Sequence, residues 1–116
     1  MSDNLELRVR REDGLAIVEA IGYINNLGGG QIVSECDKLL ADGVKKIILN
    51  LEQCSIVNSV GIAFLIEAIE RVKERGGQLA FCCVAPTIAK TFRIMGLLQN
   101  ATIYDTEQEA RQALAG

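Results

Sequence analysis

Polar and apolar residues alternate at the start of the chain: Leu5, Leu7 and Val9 are separated by Glu6, Arg8 and Arg10. This period of two predicts a strand with one buried face. Asp13-Gly14 turns the chain, and Leu15-Ala16-Ile17-Val18-Glu19-Ala20-Ile21 reads as a second strand, antiparallel to the first across so short a connection. The period then changes. Ile32, Cys36, Leu39 and Leu40 fall at i, i+4, i+7 and i+8, one face of a helix that Asp42-Gly43 ends. Lys46-Ile47-Ile48-Leu49-Asn50-Leu51 reads as a buried strand, and a polar stretch from Glu52 to Ser59 follows it.

A second long helix is expected from Val60 to Arg75, with Glu67, Glu70, Arg71 and Glu74 on its wet face and Gly76-Gly77 as its stop. Gln78 to Val84 reads as strand. Pro86 suits a helical first turn, Thr87 to Met95 a short helix, and Gly96 its C-terminal cap. Ile103-Tyr104 gives a brief last strand before a helix opened by the capping box Thr106-x-x-Glu109. The order is ββαβαβα(β)α: an α/β fold in which a hairpin feeds βα crossovers, giving a mixed β-sheet with packed α-helices.

The chain has 116 residues, 49% of them apolar and 23% charged, the balance of one soluble domain spanning 1–116. A domain of this size buries roughly two-thirds of its unfolded surface and needs no staple or metal. A formal charge of −3 with no histidine argues against nucleic-acid binding, which needs a basic face to neutralise phosphates. Cys36, Cys54, Cys82 and Cys83 show no C-x-x-C spacing, so they read as core thiols of a reducing compartment. Polar residues follow Met1, and no run approaches the roughly 18 apolar residues of a membrane span. A cytoplasmic protein without membrane insertion is expected.

Functional crevices of α/β sheets lie beyond the carboxyl ends of the strands. Two segments arrive there: Gly22-Tyr23-Ile24-Asn25-Asn26, and Cys54-Ser55-Ile56-Val57-Asn58-Ser59-Val60-Gly61. Asn58 or Ser59 can cap the following helix, and capping alone would explain them. A nucleophilic enzyme needs a base beside its hydroxyl or thiol, and none stands nearby in the sequence. Leu27-Gly28-Gly29-Gly30-Gln31 lacks the G-K-[ST] ending of a P-loop and reads as a flexible helix entry. A phospho-accepting receiver would hold Mg²⁺ with acids at the strand ends, where Asn25, Asn50 and Asn58 stand instead. Cys82 and Cys83 should point to opposite faces of a strand. No cofactor, metal or catalytic group is expected. The helix start Gly61-Ile62-Ala63-Phe64-Leu65-Ile66 is apolar all round, so it is either buried or a partner's landing site including Ile62, Leu65 or Ile66.

In these residues the chain resembles the STAS domain of bacterial anti-sigma factor antagonists. The resemblance covers nearly the whole length. It runs through Ile47-Ile48-Leu49-Asn50-Leu51 leading to Asn58-Ser59-Val60-Gly61, Gly76-Gly77 before the next strand, and Pro86 to Gly96-Leu97-Leu98. It implies a non-enzymatic partner-switching protein that binds an anti-sigma factor serine kinase of the GHKL ATPase fold, with a PP2C-type phosphatase as a further partner. The family's loop reads Asp-Ser-Ser-Gly, its second serine being phosphorylated. That serine falls on Val60 here, the aspartate falls on Asn58, and a frequent Gly-x-x-Asp turn appears as Gly22-Tyr23-Ile24-Asn25. Val60 has no oxygen to esterify, so the switch is either absent or moved to Ser59. The implied partner-binding residues are Asn25, Asn26, Asn58, Ser59, Val60, Gly61 and Ile62. Val60 also fits a second role, a non-phosphorylated STAS subunit of a larger assembly such as a lipid-transport ATPase.

Overall fold

A computed structural model describes residues 5–115. Among these, the chain forms six strands and four α-helices: β1 Leu5–Glu12, β2 Leu15–Ile24, α1 Asn26–Ala41, β3 Lys46–Asn50, β4 Cys54–Val57, α2 Ser59–Glu74, β5 Gln78–Cys82, α3 Pro86–Ile94, β6 Thr102–Tyr104 and α4 Glu107–Ala115. A 3₁₀ turn at Leu97–Gln99 joins α3 to β6. No described helix is long and apolar enough to cross a membrane.

The sheet runs β1-β2-β3-β5-β6, with β4 also paired to β2. Only β1 is antiparallel, registered from Leu5 opposite Gly22 to Glu12 opposite Leu15. The other pairs are parallel, so the expected mixed sheet is present. Alternation along the strands divides the core in two. Val18, Leu49 and Phe81 face the larger cluster with α1, α2 and α3, whereas Ile17, Ile48 and Ala80 face Ala110 and Leu114 of α4. The capping box forms as expected: the Thr106 amide donates to Glu109 Oε1 at 3.2 Å and the Glu109 amide to Thr106 Oγ1 at 3.1 Å.

Four expectations need correction. The polar stretch after β3 contains a strand, β4, whose four residues include only one buried side chain, too few for a periodic signal. β2 does not stop at Ile21. It continues to Ile24 through Gly22, whose φ of 116° marks a register shift against β4. Gly28-Gly29-Gly30 is not a flexible entry but lies inside α1. Glycine costs a helix up to about 1 kcal/mol per residue relative to alanine, and packing requires it at two of these positions. A Cβ on Gly28 would stand 2.6 Å from the Tyr23 carbonyl oxygen, and one on Gly29 2.5 Å from Phe64 Cβ. Finally, Cys83 lies beyond β5 at a φ of 61°. This left-handed turn breaks the alternation, so Cys82 and Cys83 both meet the α4-side cluster rather than opposite faces.

Candidate functional site

β2 and β4 run side by side in parallel, Tyr23 paired with Ile56 and Ile24 with Val57. Each is followed at once by a helix, so the N-termini of α1 and α2 emerge together at the carboxyl end of the sheet. An asparagine caps each. Asn25 Oδ1 accepts from the Gly28 amide at 2.9 Å and Asn58 Oδ1 from the Gly61 amide at 2.7 Å, satisfying donors that the first helical turn leaves free. The Asn58 amide donates to the Ile24 carbonyl at 3.1 Å, which fastens the head of α2 to the end of β2.

The two segments expected at the crevice therefore do meet. Asn58, Ser59 and Val60 are all exposed, Asn26 is exposed, Asn25 is half-buried and Gly61 is buried. Ile62 and Leu65 are 2% and 0% exposed, so they belong to the core. They have no surface for a partner to meet, and Ile66 is only half-buried. A helix crossing both α1 and the sheet has little wet surface in its first turns, which accounts for its all-round apolar start.

The exposed apolar groups at this end are others: Leu27 in the first turn of α1, Ile56 on β4 and Val60 in the first turn of α2, which are 69%, 48% and 48% exposed. Val60 appeared in the sequence as the position of a missing hydroxyl. Leu27 and Ile56 were not singled out. Both lie beside capping asparagines, and the signal that could have found them is a large apolar residue at a strand end or first helical turn. Neither helix has an acidic residue in its first turn. From Ala20 to Ser34 and from Cys54 to Ile66 the sequence has no charged residue. The two segments thus form a neutral, apolar-edged surface around two helix N-termini.

The other groups considered for chemistry serve the fold. Asn50, 6% exposed, turns to the α4 side. Its Nδ2 donates to Glu107 Oε1 at 3.0 Å and its Oδ1 accepts from the Glu52 amide at 2.9 Å. Glu107 Oε1 also accepts from Arg10 Nη2 at 2.7 Å, and this bond, followed by that from Asn50, holds the Glu107 carboxyl below its ordinary value. Burial, aided by Asp37 and Glu35, pushes the Cys36 thiol up to about 12, and burial pushes Cys54 up to about 11. Neither is a thiolate nucleophile. Among the described residues no cluster of acids and cysteines is arranged to hold a metal ion.

Comparison with solved structures finds the same architecture. An anti-sigma factor antagonist from Mycobacterium paratuberculosis superimposes with a TM-score of 0.86 at 20% identity, over 100% of this chain and 98% of that one. The anti-sigma factor antagonist SpoIIAA in its unphosphorylated form matches with a TM-score of 0.76 at 19% identity, over 96% and 99%. In sequence, an anti-sigma F factor antagonist of Paenibacillus polymyxa is 23% identical over 108 residues, 92% of each chain. The STAS domain model matches residues 6–110, nearly the whole of the described fold, and the chain belongs to the STAS domain family.

Proposed function

We propose that this protein is an anti-sigma factor antagonist that works by binding rather than catalysis, docking an anti-sigma factor of the serine-kinase type on the surface around the α1 and α2 N-termini. The observation that carries the reading is the exposure of Val60, with Leu27 and Ile56, on an uncharged rim beside two capped helix starts. An apolar, neutral surface in an otherwise charged domain suits a desolvated protein interface. The relatives named above as anti-sigma factor antagonists support an anti-sigma factor as the partner, and the serine-kinase type rests on the family resemblance. Asn25, Asn26, Asn58, Ser59 and Val60 are the proposed contact residues of the loops. Gly61 acts from beneath by letting α2 approach β2, and Ile62 holds the helix on the core.

The proposed interface differs from a phosphorylation switch. A phosphoserine adds about −1.5 to −2 charges and three acceptor oxygens, enough to expel a docked partner. Val60 offers no acceptor, so binding at this position is constitutive, and Ser59 is the one neighbouring hydroxyl through which control could have moved. A phosphatase of the PP2C type has a role only in that case.

Calorimetric titration with a purified serine-kinase anti-sigma factor of the same organism tests the reading. Asp at Val60 would sit at a helix N-terminus, where a carboxylate favours the fold by roughly 0.3–1 kcal/mol. The same carboxylate would lie unpaired in the interface at a cost of several kcal/mol. The expected result is tight binding by the parent, loss of binding by Val60→Asp, and no change in the exposed control Glu70→Gln. Failure of the parent to bind such kinases, with capture of a transporter ATPase instead, would favour the structural-subunit role.

A further inference from the structure

We propose that the outer edge of β1 is a self-association surface, on which a second copy of this chain pairs its own β1 in antiparallel register centred on Leu7. β1 is registered on β2 without interruption from Leu5 to Glu12. It ends the strand order, so it has no strand partner on its outer side among the described residues. It contains neither a proline nor a register shift. An edge of this kind presents unpaired backbone donors and acceptors and is a template for another strand. The opposite edge, β6, has only three residues.

Charged side chains ordinarily protect an edge, so the order of signs decides. Two copies related by a two-fold axis through Leu7 set Glu6 opposite the partner's Arg8, Arg8 opposite the partner's Glu6, Leu5 opposite the partner's Val9, and Leu7 opposite its own equivalent. From Leu5 to Val9 each pair is then opposite in charge or apolar on both sides, the combinations that stabilise antiparallel ladders. Neighbouring registers do worse. Centring on Arg8 places two arginines face to face, and centring on Val9 sets Arg8 against Arg10 and Glu6 against Glu12. The strand is therefore complementary to itself in one register, which selects a second copy over an unrelated strand.

Burial agrees with this arrangement. Leu7 and Val9 pack on the main core yet are only half-buried, leaving apolar surface for an added strand to cover. Glu6 and Arg8 form an ion pair at 3.0 Å with side chains 59% and 62% exposed, so both can turn to a facing strand at little cost. Gln31 Nε2 donates to the Leu5 carbonyl at 3.3 Å, a long bond that leaves that oxygen able to accept a second.

Light scattering and sedimentation of the full chain over a concentration series reaching the high-micromolar range test the proposal, with circular dichroism confirming that each variant is folded. The parent is expected to dimerise with concentration. Arg8→Glu or Glu6→Arg alters both symmetric pairs and should weaken the dimer by about tenfold, and the swap Glu6→Arg with Arg8→Glu should restore it. A parent that stays monomeric throughout overturns the proposal. So does a dimer indifferent to Arg8→Glu, or one that the swap fails to restore.

Discussion

Gly61 lies against the end of β2 so closely that a Cβ on it would stand 2.1 Å from the Ile24 carbonyl oxygen. Side-chain carbons do not approach backbone oxygen at that distance, so α2 can start where it does only because residue 61 is glycine. The Ile24 carbonyl is also the acceptor of the Asn58 amide. One backbone group thus fixes both the height and the tether of the helix. Gly61→Ala must push α2 off the sheet, and overpacking of this kind costs about 1–3 kcal/mol or more. Thermal unfolding of the variant should show a lower midpoint, while Gly30→Ala, where a Cβ meets nothing within 4 Å, should be neutral or stabilising.

The two caps should be separable from the docking surface. Asn25→Ala and Asn58→Ala each remove a bond to a first-turn amide and should cost about 0.5–2 kcal/mol in denaturant unfolding. Aspartate at either place keeps the acceptor and should retain most of that stability. Asn58→Asp, which restores the aspartate that the family's loop carries at this position, should also leave partner binding intact.

Acid should loosen the α4 side first. The Glu107 carboxyl is held below its ordinary value of 4.5 by Arg10 and then Asn50, and Glu12 is lowered by Arg111. A lowered carboxyl stabilises the fold fully above its unfolded value and loses that contribution as pH falls through the folded value. Stability measured against pH should be flat near neutrality and fall below about pH 4.5. Glu107→Gln should lose about 1–2 kcal/mol at neutral pH, since it weakens the bond from Arg10 and gives the Asn50 Nδ2 donor a neutral oxygen in place of a carboxylate, and its acid limb should be shallower.

Thiol reagents should discriminate among the cysteines. Cys36, Cys54 and Cys82 are buried and Cys83 is half-buried. Native labelling should reach Cys83 first and leave the other three until unfolding, as mass mapping of the modified peptides would show. Rapid labelling of Cys36 would contradict its placement in the core.

In the presence of a serine-kinase partner, ATP and Mg²⁺, mass spectrometry should find no phosphate in the segment from Ser55 to Gly61. Modification of Ser59 would show that control moved by one residue instead of being lost.

Much of this was legible along the chain because the relevant signals are local. Alternation in β1, the helical spacing of Ile32, Cys36 and Leu39, and the Thr106 capping box each specify an element without reference to the rest. What escaped depends on contacts distant in sequence. β4 exists because β2 offers it backbone partners, the glycines of α1 are read correctly only beside Tyr23 and Phe64, and Ile62 is recognisable as core only once α1 and the sheet enclose it. Leu27 and Ile56 escaped for the complementary reason, since an apolar side chain left outside has the same identity as one within. The family resemblance points to Asn58–Gly61 as the candidate site, and the geometry adds the exposed Leu27 and Ile56 beside it.

β2 pairs with β3 over Leu15 to Glu19 and then with β4 from Gly22 to Ile24. The rupture of one pairing therefore breaks no hydrogen bond in the other. Local opening can release β4 and the first turn of α2 while β3, held between β2 and β5, stays shut. Hydrogen exchange would register this as two protection levels along one line of the sheet, lower over Cys54–Val57 than over Lys46–Asn50. The proposed docking end would then open more readily than the centre of the sheet, and a partner bound there would be seen first in the slowing of those few amides.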